Sequence, residues 1–351
     1  MSRRRKAIQL LAAANVRGFV KSLAGNWKNI IWWRNELLPL VIAVLYLRNN
    51  GAYVLAEPWN NLIILDACRY DVFQEAVASE KTKGKLEYRI SRGSDTESFM
   101  IYNFDHGVGK DVVYISANPH SEILKGRVHK VVSVWQTDWD EEYQTVLPEA
   151  LCRRAHQASK DYPNNRLIVH FIQPHFPYIG YKHLNISKVD GNTILTSLAN
   201  EGKNAEDRPS PKSDTFLTYS ALKVYAAARL STGEHFKAYK ENLRRAMTCV
   251  AKLVTELPGR TIITADHGEA FGEYIHPLIP IRAYGHFHNM RNEVLTKVPW
   301  LIVDGPKKVE HLMRSDMNSS SNFKNKKEEN DTFSSADEEM LRKRLKELGY
   351  D

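Results

Sequence analysis

Short apolar runs and longer amphipathic stretches alternate along most of this chain. The first run opens at Asn61, where LIIL leads into Asp66; others are Val112–Ser116 (VVYIS), Val131–Trp135 (VVSVW), Leu167–Phe171 (LIVHF), Thr261–Thr264 (TIIT) and Trp300–Val303 (WLIV). Runs of this length, rich in β-branched residues, read as strands buried on both faces. Between them lie helical patterns. One covers Glu149–Lys160, with Pro148 where a helix start tolerates it, and a longer one covers Thr218–Leu257, broken near Gly233. Strands alternating with helices predict one α/β domain over residues 57–305, with a doubly wound, mainly parallel sheet.

The flanks read differently. Residues 181–216 are rich in Asn, Ser, Gly, Lys and Pro and carry little periodicity, as a polar insertion would. Residues 306–351 form a tail in which Ser315–Asn330 is polar and low in complexity, a composition that predicts mobility. The tail then predicts a short C-terminal helix: Ser335 and Glu338 have capping-box spacing, Leu341, Leu345 and Leu348 share a face, and Gly349 sits at a C-cap position. Residues 1–56 read as a helical arm.

Charge sharpens the view of that arm. Residues 1–50 hold nine Lys and Arg against Glu36 alone, a net of +8, and the 351-residue chain carries 49 basic against 41 acidic side chains, also +8. Residues 51–351 therefore balance, and the basic excess belongs to the arm. Mixed with Trp27, Ile30, Ile31, Trp32 and Trp33, it has the makings of a helix that lies on an anionic membrane surface; helices packed on the body through their aromatics would look the same. Nucleic acid is disfavoured as a partner, because the body adds no basic excess and no binding module.

The apolar run Leu37–Leu47 has about half the roughly 20 residues a spanning helix needs and contains Pro39. An export signal in SRRRKAIQLLAAANV is the less favoured reading, since Gln9, Asn15 and Arg17 interrupt it. Three cysteines, Cys68, Cys152 and Cys249, make no closed disulfide set and no CxxC pair. The expected location is cytoplasmic, peripheral at a membrane.

Chemistry concentrates at strand exits. The strand TIIT runs into Ala265 and then Asp266-His267-Gly268-Glu269, delivering a carboxylate and an imidazole together, and both are ligands for divalent ions. Asp66 follows the first strand in the same way. Ser91, Ser94, Thr96 and Ser98 form a hydroxyl cluster in SRGSDTESF; His175 is held between prolines in PHFPY; His286 and His288 sit in YGHFH, ahead of VPWLIVD. Singly, each has an ordinary explanation as a helix cap, a turn or a surface loop.

Taken in order, these pieces resemble the sulfatase-like branch of the alkaline phosphatase superfamily, over about residues 60 to 304. The resemblance implies that fold, and a metal-dependent hydrolase or transferase that cleaves phosphate or sulfate esters. It assigns Asp66, Asp266 and His267 to the metal, with Thr96 as the metal-activated nucleophile, and puts His175 and His286 beside the substrate. Arg69 and His288 are then candidates for binding substrate oxygens, Arg69 through its fork; a salt bridge to Asp71 is its ordinary alternative. The implied cofactor is a divalent ion, Zn, Mn, Mg or Ca.

Departures from the family pattern matter too. The formylglycine motif C-x-P-S-R is absent, and Ala67 stands where arylsulfatases carry a second acid. This favours one metal over two, although Glu269 or His288 offers a replacement ligand. It also motivates the alternative of a non-catalytic anion- or glycan-binding relative. The arm adds a substrate class, a glycan or lipid-linked surface polymer. Full-length protein is expected to bind vesicles with anionic lipid more tightly than neutral ones, in a salt-sensitive way that removal of residues 1–50 abolishes; equal binding to both vesicle types in flotation would refute the electrostatic role.

Overall fold

A computed structural model describes residues 49–80, 83–104, 109–184, 232–277, 279–286, 288–305 and 335–348, with Gly25 and Tyr46 besides. Most of the arm and the insertion, the Ser315–Asn330 segment and Gly349 lie outside these residues. In chain order the elements are β1 (Asn61–Leu65), α1 (Tyr70–Glu80), β2 (Lys85–Ile90), α2 (Thr96–Asn103), β3 (Gly109–Ser116), β4 (Val128–Ser133) and α3 (Val134–Thr137). Then come β5 (Trp139–Asp140), β6 (Thr145–Val146), α4 (Pro148–Asp161), β7 (Arg166–Phe171), α5 (Thr232–Glu256) and β8 (Arg260–Thr264). The hairpin β9 (Ala270–His276) and β10 (Ile279–Gly285), α6 (Glu293–Thr296), β11 (Lys297–Asp304) and α7 (Ser335–Glu347) complete the set.

Seven strands form one sheet in the order β2-β11-β8-β1-β7-β3-β4. The run from β8 to β4 is parallel, and β11 is antiparallel to both of its neighbours. β1 lies in the middle with all five residues buried, which is why it reads as an uninterrupted apolar run. Alternate side chains go to opposite faces. Ile63 and Leu65 join the larger core with Val72 and Phe73 of α1, Leu151 and Ala155 of α4, and Tyr239, Leu243 and Val250 of α5. Leu62 and Ile64 join a second core with Val54, Trp59, Phe99, Met100, Tyr114 and Trp300. The doubly wound, mainly parallel sheet is thus the architecture expected, although α2 and short 3-10 turns cover its second face.

Three expectations are corrected or extended. The strand expected over Val131–Trp135 ends at Ser133, and Val134–Thr137 is a helical turn that buries Trp135 completely; a short apolar run does not separate a strand from a buried turn. β2 was not expected, because KLEYRI carries charge at every other position, as suits an edge strand. Nor was the β9–β10 hairpin, whose strands form a separate two-stranded sheet.

The helix Glu149–Lys160 is observed as Pro148–Asp161, with Pro148 in its first turn. Of the long pattern Thr218–Leu257, the described part is the helix Thr232–Glu256. The C-terminal helix is present, and Leu348 beyond it is fully buried in the larger core. Arg344 helps hold it, with its guanidinium 2.5 Å from Glu141 and 4.6 Å from the Trp139 ring centre. No helix among the described residues is long and apolar enough to cross a membrane.

Because Ile63 sits at zero exposure in the central strand, Ile63→Ala removes buried methylenes at a site that cannot collapse. We expect a loss of about 2–5 kcal/mol, read as a shift of the denaturant midpoint at unchanged slope.

Candidate active site

Strand register builds the site. Ile64 of β1 pairs with Thr264 of β8, so the residues two beyond, Asp66 and Asp266, leave neighbouring strands at the same level. On the other side Ile64 pairs with His170 of β7, and His170 with Ser116 of β3, which brings His170 and Asn118 to the same end of the sheet. Asp66, Asn118, His170, Asp266 and His267 are all at zero exposure. Ligands of open α/β sheets bind beyond the carboxyl ends of the strands, where these residues lie.

Thr96 arrives from α2. Asp95 is the N-cap of this helix, accepting from the Ser98 amide at 2.8 Å and from the Ser98 hydroxyl at 2.8 Å. Ser91 ties the preceding loop down by donating its hydroxyl to the Asp266 carbonyl. Thr96, the first residue of α2, is thereby fully buried with its hydroxyl among three site residues. Thr96 Oγ1 lies 2.9 Å from Asp266 Oδ2, 3.3 Å from His267 Nε2 and 3.4 Å from Asp66 Oδ1. His267 Nε2 is 3.4 Å from Asp266 Oδ2 and 3.5 Å from Asp66 Oδ1.

Five of the six separations among Asp66 Oδ1, Thr96 Oγ1, Asp266 Oδ2 and His267 Nε2 thus lie between 2.9 and 3.5 Å, and Asp66, His170 and Asp266 offer ligand atoms within 4.8 Å of one another. A zinc-like ion with bonds of about 2.0–2.1 Å needs ligand-to-ligand edges of about 3.3–3.4 Å. Ligand orientation fits as well. The Gly268 carbonyl, 2.8 Å from His267 Nδ1, accepts that N–H, which leaves the Nε2 lone pair facing the carboxylates. Asp66 Oδ2 accepts from Asn118 Nδ2 at 2.7 Å, while Asp266 Oδ1 accepts from the amides of Ala67 at 3.0 Å and His267 at 2.9 Å. Each carboxylate is thus held through one oxygen and presents the other inward. To aim its amide at Asp266, Ala67 adopts a left-handed backbone with φ of 58°, and Tyr239 Oη donates to its carbonyl at 2.7 Å.

Burial lowers His170 to about 4, and it lowers His267 against the pull of Asp266, so both imidazoles are neutral electron-pair donors at neutral pH. Burial opposes ionisation of Asp266, but His267, His170, the Ala67 amide and the Thr96 hydroxyl outweigh it and hold the carboxyl below its usual value. The donor set is able to hold a divalent cation.

A second set adjoins the first. His175, Glu269 and His286 each offer a ligand atom, all within 4.8 Å of one another, and the His286 ring centre is 4.4 Å from that of His267. Burial lowers His175 to about 3. Burial works against the charge on His286 too, but Glu269 Oε2 at 3.2 Å outweighs it and raises His286. Burial thus favours the neutral form of His175, and Glu269 favours the protonated form of His286. Asn242 of α5 holds the His175 loop, donating to the His175 and Pro177 carbonyls at 3.2 and 3.0 Å.

No family model matches the chain, and no curated protein does. Solved structures do match. The soluble domain of lipooligosaccharide phosphoethanolamine transferase A from Neisseria meningitidis aligns over 70% of this chain and 75% of its own, at 13% identity and TM-score 0.43. The C-terminal periplasmic domain of EcEptC from Escherichia coli, in complex with Zn, aligns over 73% and 76%, at 13% identity and TM-score 0.38. A 2-O GAG sulfatase aligns over 71% and 65%, at 11% identity and TM-score 0.42. These neighbours are members of the alkaline phosphatase superfamily, distant from the chain in sequence.

Of the residues singled out from sequence, Asp66, Thr96, Asp266 and His267 come together, and His175 and His286 adjoin them. Arg69 and His288 border the site but are held by other side chains, with Arg69 Nη1 also reaching the Glu269 carbonyl at 3.3 Å. The Arg69 guanidinium is paired with Asp71 at 2.7 Å and Glu273 at 2.5 Å, and the exposed His288 bonds Asp95 Oδ2 through Nδ1 at 3.0 Å. Sequence reasoning missed Asn118 and His170. Signals existed for both: Asn118 follows VVYIS and Ala117 as Asp266 follows TIIT and Ala265, and His170 is a polar interruption of an apolar strand.

Asp95 is the hinge of this arrangement. Burial raises its pKa, but the His288 bond and the Ser98 amide and hydroxyl outweigh that and hold it well below the usual carboxylate range. Its stabilising contribution is therefore full above the ordinary value near 4 and is lost as pH falls through the depressed one. Asp95→Ala is expected to cost about 0.5–2 kcal/mol at pH 7. That loss should shrink toward pH 2 in paired denaturant titrations; a pH-independent loss would show that the charge on Asp95 does no stabilising.

Proposed function

We propose that this protein is a metal-dependent hydrolase or transferase of phosphate or sulfate esters, with Thr96 as nucleophile. What supports this reading above all is the convergence of Asp66, Asp266 and His267 on the Thr96 hydroxyl, with five donor-to-donor separations of 2.9 to 3.5 Å. Asp66, Asp266, His267 and Thr96 would hold the ion. Two carboxylates with an imidazole suit zinc or manganese better than the all-oxygen preference of magnesium or calcium. Such an ion lowers the pKa of the hydroxyl and neutralises charge developing on the transferred group.

The chain's own side chains supply the rest. The Thr96 hydroxyl, which donates to Asp266 Oδ2 at 2.9 Å, would give up its proton to solvent on binding the ion, leaving its oxygen aligned for attack. His286, whose protonated form Glu269 favours, would donate to the leaving oxygen. His175, neutral and pinned through Nδ1 to the Phe176 carbonyl at 2.6 Å, turns its other nitrogen toward the substrate group. Arg69 is left out of the substrate contacts, because its fork is already filled by two carboxylates. Neighbours that act on lipooligosaccharide and on GAG chains match in class the substrate suggested by the basic, aromatic arm: a glycan or lipid-linked surface polymer.

The test is metal content together with turnover of nitrophenyl phosphate and nitrophenyl sulfate in the presence of zinc or manganese. Thr96→Ala should lower turnover at least about 100-fold, and Asp266→Asn should lower both bound metal and turnover. Turnover indifferent to both substitutions would refute the assignment. No turnover and no bound metal in the unaltered protein would favour the anion- or glycan-binding alternative.

A further inference from the structure

Away from the site, α4 and α5 pack side by side against the larger core. Three side-chain contacts follow one another up their seam. Arg245 Nε meets Glu149 Oε1 at 3.1 Å, Cys152 and Cys249 come next along the two helices with their thiols interacting, and His156 Nδ1 meets Glu256 Oε2 at 3.1 Å. Residues 149, 152 and 156 share a face of α4, and residues 245, 249 and 256 share a face of α5. Both series rise together, so the helices run parallel and the flanking pairs fix the register in which the cysteines meet. Both thiols are half-buried. Cys68, fully buried at the end of β1, takes no part.

The pair is chemically unequal. The interaction with Cys152 and the nearby cations Arg245 and Lys252 favour the ionised form of Cys249 against burial. The same interaction and burial raise Cys152. Cys249 is therefore the readier thiolate and the attacking sulfur.

We propose that Cys152 and Cys249 are an oxidisable dithiol whose disulfide staples α4 to α5. The oxidant is a small-molecule disulfide such as oxidised glutathione. The Cys249 thiolate attacks one of its sulfurs, forming a mixed disulfide and expelling one glutathione thiolate. Cys152 then gives its proton to solvent and attacks the Cys249 sulfur, expelling the second. Two protein thiols are oxidised and one external disulfide is reduced to two thiols, with no other reactant.

The staple closes a long loop, since 249 − 152 is 97 residues, and longer loops restrict the unfolded chain more. It also fixes the helix that serves the candidate site: α5 carries Tyr239, bonded to the Ala67 carbonyl and the Arg69 amide, and Asn242, which holds the His175 loop. In a reducing compartment the pair stays as thiols. In an oxidising one it becomes a structural bond, and the unpaired cysteine of the three is the inaccessible one.

The experiment equilibrates the folded full-length chain with oxidised glutathione, alkylates the remaining thiols and maps peptides by mass spectrometry. The expected result is one free thiol, at Cys68, and a cross-linked peptide joining Cys152 to Cys249. Tm should rise by about 5–10 °C and fall back on reduction with dithiothreitol. Cys152→Ser should retain glutathione on Cys249, and should gain it faster than Cys249→Ser gains it on Cys152. Three free thiols, an unresolved glutathione adduct in the unaltered chain, or a cross-link elsewhere or between chains would overturn the proposal.

Discussion

Two carboxylates buried side by side govern the organisation of this protein. Asp66 and Asp266 sit at zero exposure on adjacent strands. A carboxylate in such a place is costly unless donors surround it. The donors come from four further parts of the chain: the amide of Ala67, the amide of His267, the hydroxyl of Thr96 and the amide group of Asn118. Satisfying the pair thus draws the β1 turn, the β8 turn, the start of α2 and the exit of β3 to one point. The left-handed backbone at Ala67 is the local cost of that convergence, about 1–2 kcal/mol on general grounds. Tyr239, reaching from α5 to the carbonyl of the same residue, links the convergence to the helical layer.

What the sequence made legible follows from this physics. Asp66, Asp266 and His267 could be read because a short apolar strand ending in a carboxylate is a local pattern, and strands buried on both faces are the clearest runs in the chain. Their adjacency could not be read. It depends on β1 pairing with β8 across some 200 residues of sequence, a register that no local pattern carries. Asn118 shows the limit: its strand-exit position was visible, but an amide alone does not declare that it will orient a carboxylate. β2 escaped for another reason. An edge strand with charge at every other position gives up the apolar signal that marks a central strand.

The hydroxyl cluster shows how structure decides among residues that sequence leaves equal. Ser91, Ser94, Thr96 and Ser98 stand within eight positions of one another. Ser91 is spent on the Asp266 carbonyl and Ser98 on the Asp95 cap, while Ser94 Oγ lies 3.4 Å from Asp95 Oδ2. Thr96 is the member whose oxygen meets Asp66, Asp266 and His267 together. The capping geometry selects it. With Asp95 as N-cap, the next residue begins α2, and the helix sets its direction while the Ser98 bonds immobilise the turn. The nucleophile proposed here needs that kind of support, because reactive geometry is held by neighbours whose own positions are fixed. The two serines that flank Thr96 at a distance are therefore part of the same device: one anchors the loop to the β8 exit, the other locks the cap, and the threonine between them turns its hydroxyl to the carboxylates.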